Sequence, residues 1–166
     1  MSSASKLDEA TWAKKMQEAT LHGKLNISYL DIPAITPEQV AEIKSRIPNL
    51  VELDLRSNEL TDLPDELAEL RNLRNIRLNY NKLEHIPKVL TKLKRLTKLE
   101  MGGNLLRDVD EAVGDLPAAL RDLDISSANA DASSSSRASI PVSVRVSSRA
   151  NVRRCTPPSY SAAASA

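Results

Sequence analysis

The residues from Leu50 to Leu116 state one pattern three times. Leu50, Leu53, Leu55, Asn58, Leu60, Leu63, Pro64, Leu67 and Leu70 return 23 residues later as Leu73, Ile76, Leu78, Asn81, Leu83, Ile86, Pro87, Leu90 and Leu93. The same step gives Leu96, Leu99, Met101, Asn104, Leu106, Val109, Asp110, Val113 and Leu116, with Asp110 for Pro as the one break in a column. A unit this short cannot enclose its own apolar residues. It buries them against the units before and after it, so the copies must stack into a solenoid around one continuous core. That core is aliphatic, because Phe is absent and aromatic residues make up 2% of the chain.

The flanks follow from the repeat. Residues 5–21 contain no Gly or Pro and place Leu7, Ala10, Ala13, Met16 and Ala19 on one broad face, which predicts a helix that closes the front of the stack. Asp8 and Glu9 suit its start and Gly23 its end. Trp12 is expected to cover the first coil, with a partner-facing role as its alternative. Leu25, Ile27, Leu30, Ile32 and Ile35 make an atypical first repeat, in which Leu30 falls where later repeats have Asn. Its spacing from Leu25 to Leu53 is 28 residues, which makes room for a full helix opened by Thr36 as N-cap and Pro37, with Val40, Ile43 and Ile47 inward. Leu120, Leu123 and Ile125 begin a further strand, after which the Asn column lands on Ala128 and the pattern stops.

The division expected is a capping helix over 1–21, repeats over 22–49, 50–72, 73–95 and 96–119, a partial repeat over 120–127, and a tail over 128–166. The tail is rich in Ser, Ala and Arg with no acid after Asp131, and it offers too little apolar surface to offset the entropy of ordering; disorder is the expectation. No amphipathic segment follows to cover the last coil. Truncation of a longer repeat protein is the expected explanation, with a folded-back tail or a covering partner as the alternative.

The L-x-x-L-x-L-x-x-N-x-L pattern is similar to the leucine-rich repeat. Asn followed by L-x-x-[LI]-P at 58–64 and 81–87 further resembles the intracellular group related to Ras signalling, which includes the animal Ras–Raf scaffold and its plant relatives. The opening ATLHGKLNISYLDI resembles the helix, Gly and first strand of intracellular members, so the likeness covers about residues 10–125. It implies an α/β solenoid with a short parallel sheet on the concave face and protein binding as its use. The Ras-type likeness implies a cytoplasmic signalling scaffold, with a small GTPase or kinase-pathway component as the kind of partner.

In such a fold Asn58, Asn81 and Asn104 turn the chain out of each strand, and their amides satisfy backbone groups left inside. Residues beside the strand leucines then face outward in columns. One column reads Asn26, Asp54, Arg77, Glu100, Asp124; the one before it Lys24, Glu52, Asn75, Lys98, Asp122; those after it Ser28, Arg56, Asn79, Gly102, Ser126 and Tyr29, Ser57, Tyr80, Gly103, Ser127. Alternation of Asp54, Arg77 and Glu100 allows neighbours to compensate one another. It also allows a mixed-charge strip that selects a partner by complementarity. Arg56, Arg77 and Tyr80 are the expected centre of such a site, with Asp54, Glu100, Asn79 and Tyr29 around them. Gly102 and Gly103 are expected to leave room there for a partner's side chain.

Other classes find little support. His22 and His85 stand apart with no metal-ligand spacing, and no Gly-rich phosphate loop is present, so no catalytic site, cofactor, metal or small-molecule substrate is expected. Cys155 is the single cysteine, so no internal disulfide can form, and no apolar run suits a membrane span; an intracellular, cytoplasmic protein is the expectation. The net charge of +1 gives no general attraction to nucleic acid. The arginines of the tail leave weak RNA or anionic-surface binding as an alternative function.

Overall fold

In the computed structural model of the protein, residues 7–107 and 115–125 are described. Five three-residue strands, β1 (Lys24–Asn26), β2 (Glu52–Asp54), β3 (Asn75–Arg77), β4 (Lys98–Glu100) and β5 (Asp122–Asp124), form one parallel sheet in sequence order. Register follows the repeat: Leu25 pairs with Leu53, Leu53 with Ile76, Ile76 with Leu99 and Leu99 with Leu123. Each of these sits at the centre of its strand and points into the core, and all are almost fully buried. Flanking residues therefore point the other way, because side chains alternate along a strand.

The return segments differ as their lengths require. The long first repeat holds α2 (Pro37–Arg46), where Thr36 and Gln39 form a reciprocal capping box and Val40 and Ile43 are buried. In the shorter repeats the return is a 3-10 helix at Asp65–Glu69 and then a single turn, α3 (Val89–Lys92). All of these segments feed the same aliphatic core.

The N-terminal helix α1 runs Glu9–His22 rather than over 5–21. Asp8 fixes the start, its carboxylate accepting from the Thr11 amide at 2.8 Å, and Gly23 ends the helix at a left-handed φ of 66°. Its inward face is Trp12, Met16 and Ala19, whereas Ala10 and Ala13 are exposed, since the larger apolar side chains take the buried positions. Trp12 packs inside and donates from Nε1 to Glu42 Oε2 at 2.7 Å, which ties α1 to α2. It is a cap and not a partner-facing residue.

The three asparagines link successive coils. Asn58 Nδ2 donates to the carbonyls of Leu55 (3.0 Å) and Ile27 (2.9 Å), and its Oδ1 accepts from the amides of Leu30 and Ile32, both at 3.1 Å. Asn81 donates to Leu78 and Leu55 and accepts from Leu60. Asn104 donates to Met101 and Leu78 and accepts from Leu83. Each side chain thus binds its own strand exit and reaches back one repeat. Leu30 can occupy the column in the first repeat because no coil of the solenoid precedes it.

Val109, Asp110 and Val113 of the third regular copy, and the whole of 126–166 with its proposed tail, lie outside the described residues.

Candidate functional site

The outward side of the sheet carries a connected ion network. Lys24 Nζ lies 3.3 Å from Glu52 Oε2, and the other oxygen of Glu52 is 2.7 Å from Arg77 Nη1. The same Arg77 nitrogen is 3.6 Å from Asp54 Oδ2, and its Nε is 3.5 Å from Glu100 Oε2. Arg56 closes on Asp54 through Nε and Nη2, at 2.9 and 2.7 Å. On the far side Lys98 bridges Glu100 at 2.6 Å and Asp122 at 3.6 Å.

Arg77 is the hub of this array, and the acids it touches are largely withdrawn from water: side-chain exposure is 12% for Glu52 and 5% for Asp54. Asp54, Arg77 and Glu100 therefore pair with one another as their column allows, and Arg56 joins them from the next column through Asp54. Glu52, Lys24 and Lys98 complete the network and were not singled out as site residues. The signal that finds them is diagonal. Glu52 stands opposite Asn75 in the register, but its partner is Arg77, two residues further along.

Burial alone would raise the Asp54 carboxyl. Hydrogen bonds from the Arg56 side chain and amide, with the charges of Arg56 and Arg77, outweigh it and hold the group below its ordinary range. The Glu100 hydrogen bond is the main cause that raises Lys98. A carboxyl held low in the folded state stabilises the fold above its ordinary value of 3.8, and that contribution is lost as the pH falls through the lower native value. Thermal melts should show the wild type losing its advantage over Asp54→Asn as acid is added below about pH 4. A difference between the two that is constant with pH would contradict the role assigned to this carboxylate.

Beside the network, the residues that leave the strands share one unusual backbone state. Tyr29, Ser57, Tyr80 and Gly103 have φ of 61°, 53°, 59° and 71°. The amide of each of the first three donates to the carbonyl just before the next member, Tyr29 N to Arg56 O, Ser57 N to Asn79 O and Tyr80 N to Gly102 O. The left-handed turn is thus a demand of the repeat, made even where it costs a non-glycine residue ~1–2 kcal/mol. Both tyrosines are 65% exposed, while Asn79, below Tyr80, is half-buried with its Oδ1 enclosed and unpaired among the described residues.

Gly103 does not hold space open for a partner. A Cβ there would lie 2.6 Å from Tyr80 Cδ1 and 2.9 Å from Cε1, so the chain's own ring covers the glycine. Gly103→Ala is expected to cost about 2 kcal/mol, from the positive φ and the displaced ring. In a Tyr80→Ala background about half of that loss should disappear. Equal losses in both backgrounds, measured by denaturant unfolding, would show that the ring makes no demand on Gly103.

Among the described residues no group of three or more His, Cys, Asp or Glu is arranged to hold a metal ion, and no helix is long and apolar enough to cross a membrane.

A fold of stacked coils with a parallel sheet on one side and an asparagine at three successive strand exits defines a leucine-rich-repeat solenoid. The leucine-rich-repeat family model matches residues 48–106 and 71–130, and the chain belongs to that family. Over 58 residues it is 41% identical to dynein regulatory complex subunit 7 of Chlamydomonas reinhardtii, a match to 35% of this chain and 5% of that protein. The leucine-rich-repeat protein LIC12759 of Leptospira interrogans superposes with a TM-score of 0.54 at 28% identity, over 72% of this chain and 29% of its own. The plant peptide hormone receptor RGFR1, in complex with RGF2, gives a TM-score of 0.47 at 29% identity, over 61% and 16%. The chain spans a minor part of each of these proteins. Leucine-rich-repeat domains generally serve protein–protein interaction.

Proposed function

We propose that this chain is a protein-binding module whose partner docks on the concave face, with Tyr29 and Tyr80 as its anchors. The observation that carries this reading is the placement of the two tyrosines, each 65% exposed, one on either side of Ser57 in a single column. Two strand spacings, roughly 10 Å, separate them. Tyr is a preferred anchor because it brings a large rigid area for little entropy, and both rings sit on main chain fixed by the ladder.

Arg56, Arg77, Asp54, Glu100 and Asn79 form the floor of this site. Their charges are already paired within the chain, so they select a partner by shape and by the pattern of potential and do not supply free charge. On this reading residues 22–127 are the binding module, 1–21 its cap, and 128–166 lie outside it. The module acts as a cytoplasmic scaffold in signalling, and a small GTPase or a kinase-pathway component is the kind of partner the Ras-type motif favours. Similarity to a subunit of a dynein regulatory complex supports work inside a multi-protein assembly.

The test is affinity purification with mass spectrometry of the wild type against Tyr29→Ala/Tyr80→Ala. A partner lost by the double variant, whose own melting temperature is unchanged, is the expected result. Retention of every partner by a folded double variant would remove the concave site. A captured set without any GTPase or kinase component would remove the Ras-type assignment and leave the module.

A further inference from the structure

A second charged surface lies away from the sheet, where the 3-10 helix Asp65–Glu69 and α3 lead back into β3 and β4. Here an open groove of about 710 Å³ is lined by Ala68, Arg71, Asn72, Lys92, Lys94 and Arg95. The repeat period builds it: Arg71-Asn72 in one coil and Lys94-Arg95 in the next are equivalent positions 23 residues apart. The stacking that aligns the leucines thus aligns the cations. Asn72 is held at both ends, donating to the Pro48 carbonyl at 3.1 Å and accepting from Arg95 Nη1 at 2.8 Å, which fixes the guanidinium without neutralising it.

Of the nearby carboxylates, one neutralises a cation of the groove itself and the other pairs outside it. Asp65 pairs with Lys92 at 2.8 Å, and Glu69, which feels the charge of Arg71, pairs with Lys44 at 2.7 Å. Arg71, Lys94 and Arg95 form no salt bridge among the described residues, in contrast to the compensated network on the sheet. Like charges held along a groove concentrate anions there.

We propose that this groove is a second docking surface, distinct from the concave face, that takes an acidic peptide segment of a partner protein. Arginine forks pair two-pronged with carboxylates, and the half-buried Ala68 of the lining offers a small apolar contact. A single-stranded nucleic acid fits less well, because no aromatic ring lines the groove to stack a base. The stretch 132–166 carries no Asp or Glu and so offers the groove no acidic sequence.

Fluorescence anisotropy on the full chain tests this with three labelled probes: a peptide of alternating Glu and Ala, the same peptide with Gln for Glu, and oligouridylate. The acidic peptide should bind, the Gln peptide should not, and binding should weaken about tenfold between roughly 50 and 300 mM salt. Arg71→Glu/Arg95→Glu should weaken it by at least about tenfold, and the milder Arg71→Gln/Arg95→Gln by less. Tyr29→Ala/Tyr80→Ala should leave it unchanged, so failure of the groove and failure of the concave site read out separately. Absence of binding by the acidic peptide would overturn the proposal. So would binding that survives charge reversal in a folded variant, or tighter binding of oligouridylate through the same two arginines.

Discussion

Asn58→Ala should be among the most damaging single changes of a polar residue in this protein, with an expected loss of about 3 kcal/mol. Its Oδ1 is the acceptor for two main-chain amides, Leu30 and Ile32, and alanine leaves both without that partner. Asn81→Ala removes the acceptor from one amide, Leu60, while the carbonyls of Leu55 and Leu78 keep Asn58 and Asn104 as donors. Its loss should be smaller, about 2 kcal/mol. Lys82→Ala, an exposed residue paired with Glu59 at 3.2 Å, should change stability by no more than about 0.5 kcal/mol. Urea unfolding of the three variants orders them. A loss for Asn81→Ala no larger than that for Lys82→Ala would remove the ladder as a source of stability. Equal losses for Asn58 and Asn81 would contradict the count of amides.

Arg77→Ala should also destabilise the fold, by about 2 kcal/mol. The guanidinium, on β3, serves three carboxylates on the two neighbouring strands, Glu52 and Asp54 of β2 and Glu100 of β4. Taking away the only counter-charge of a buried ion costs roughly 3–5 kcal/mol, but here each acid retains one cation: Lys24, Arg56 and Lys98 respectively. Adding Glu52→Gln to Arg77→Ala should recover part of the loss, because one of the under-compensated charges is gone. A cost below about 0.5 kcal/mol, the range of an exposed pair such as Lys92–Asp65, would show that the hub contributes nothing special. This matters for function. A binding defect in Arg77→Ala can arise from a loosened sheet, so Tyr29 and Tyr80, which bear no charge in the network, are the cleaner probes of the concave face.

Most of the architecture was legible because the repeat is translational. Leu53, Ile76 and Leu99 share a column in the sequence, and the same column is the sheet register. The extra length of the first repeat announced α2, and Thr36-Pro37 marked its start. The inward face of α1 was less legible, since Ala10 and Ala13 satisfy helical periodicity while the burial is decided by the larger Trp12 and Met16. The role of Gly103 was misread for a related reason. A glycine without a neighbour looks like open space, and the neighbour that fills it, Tyr80, lies one repeat away.

By itself, the sequence determined the repeat period, the aliphatic core, the asparagine column and the set of residues that face outward. All of these follow from local spacing, which a stacked repeat copies directly into space. Which outward residues engage one another was decided only by the tertiary structure. Side chains as long as Arg and Glu reach diagonally across strands, so Glu52 meets Arg77 and not Asn75, which stands opposite it in the register. The same stacking leaves Tyr29 and Tyr80 largely exposed in one column, the latter lying over Gly103, in a pattern extended from Leu50–Leu116, and leaves Arg71, Lys94 and Arg95 without a salt bridge among the described residues.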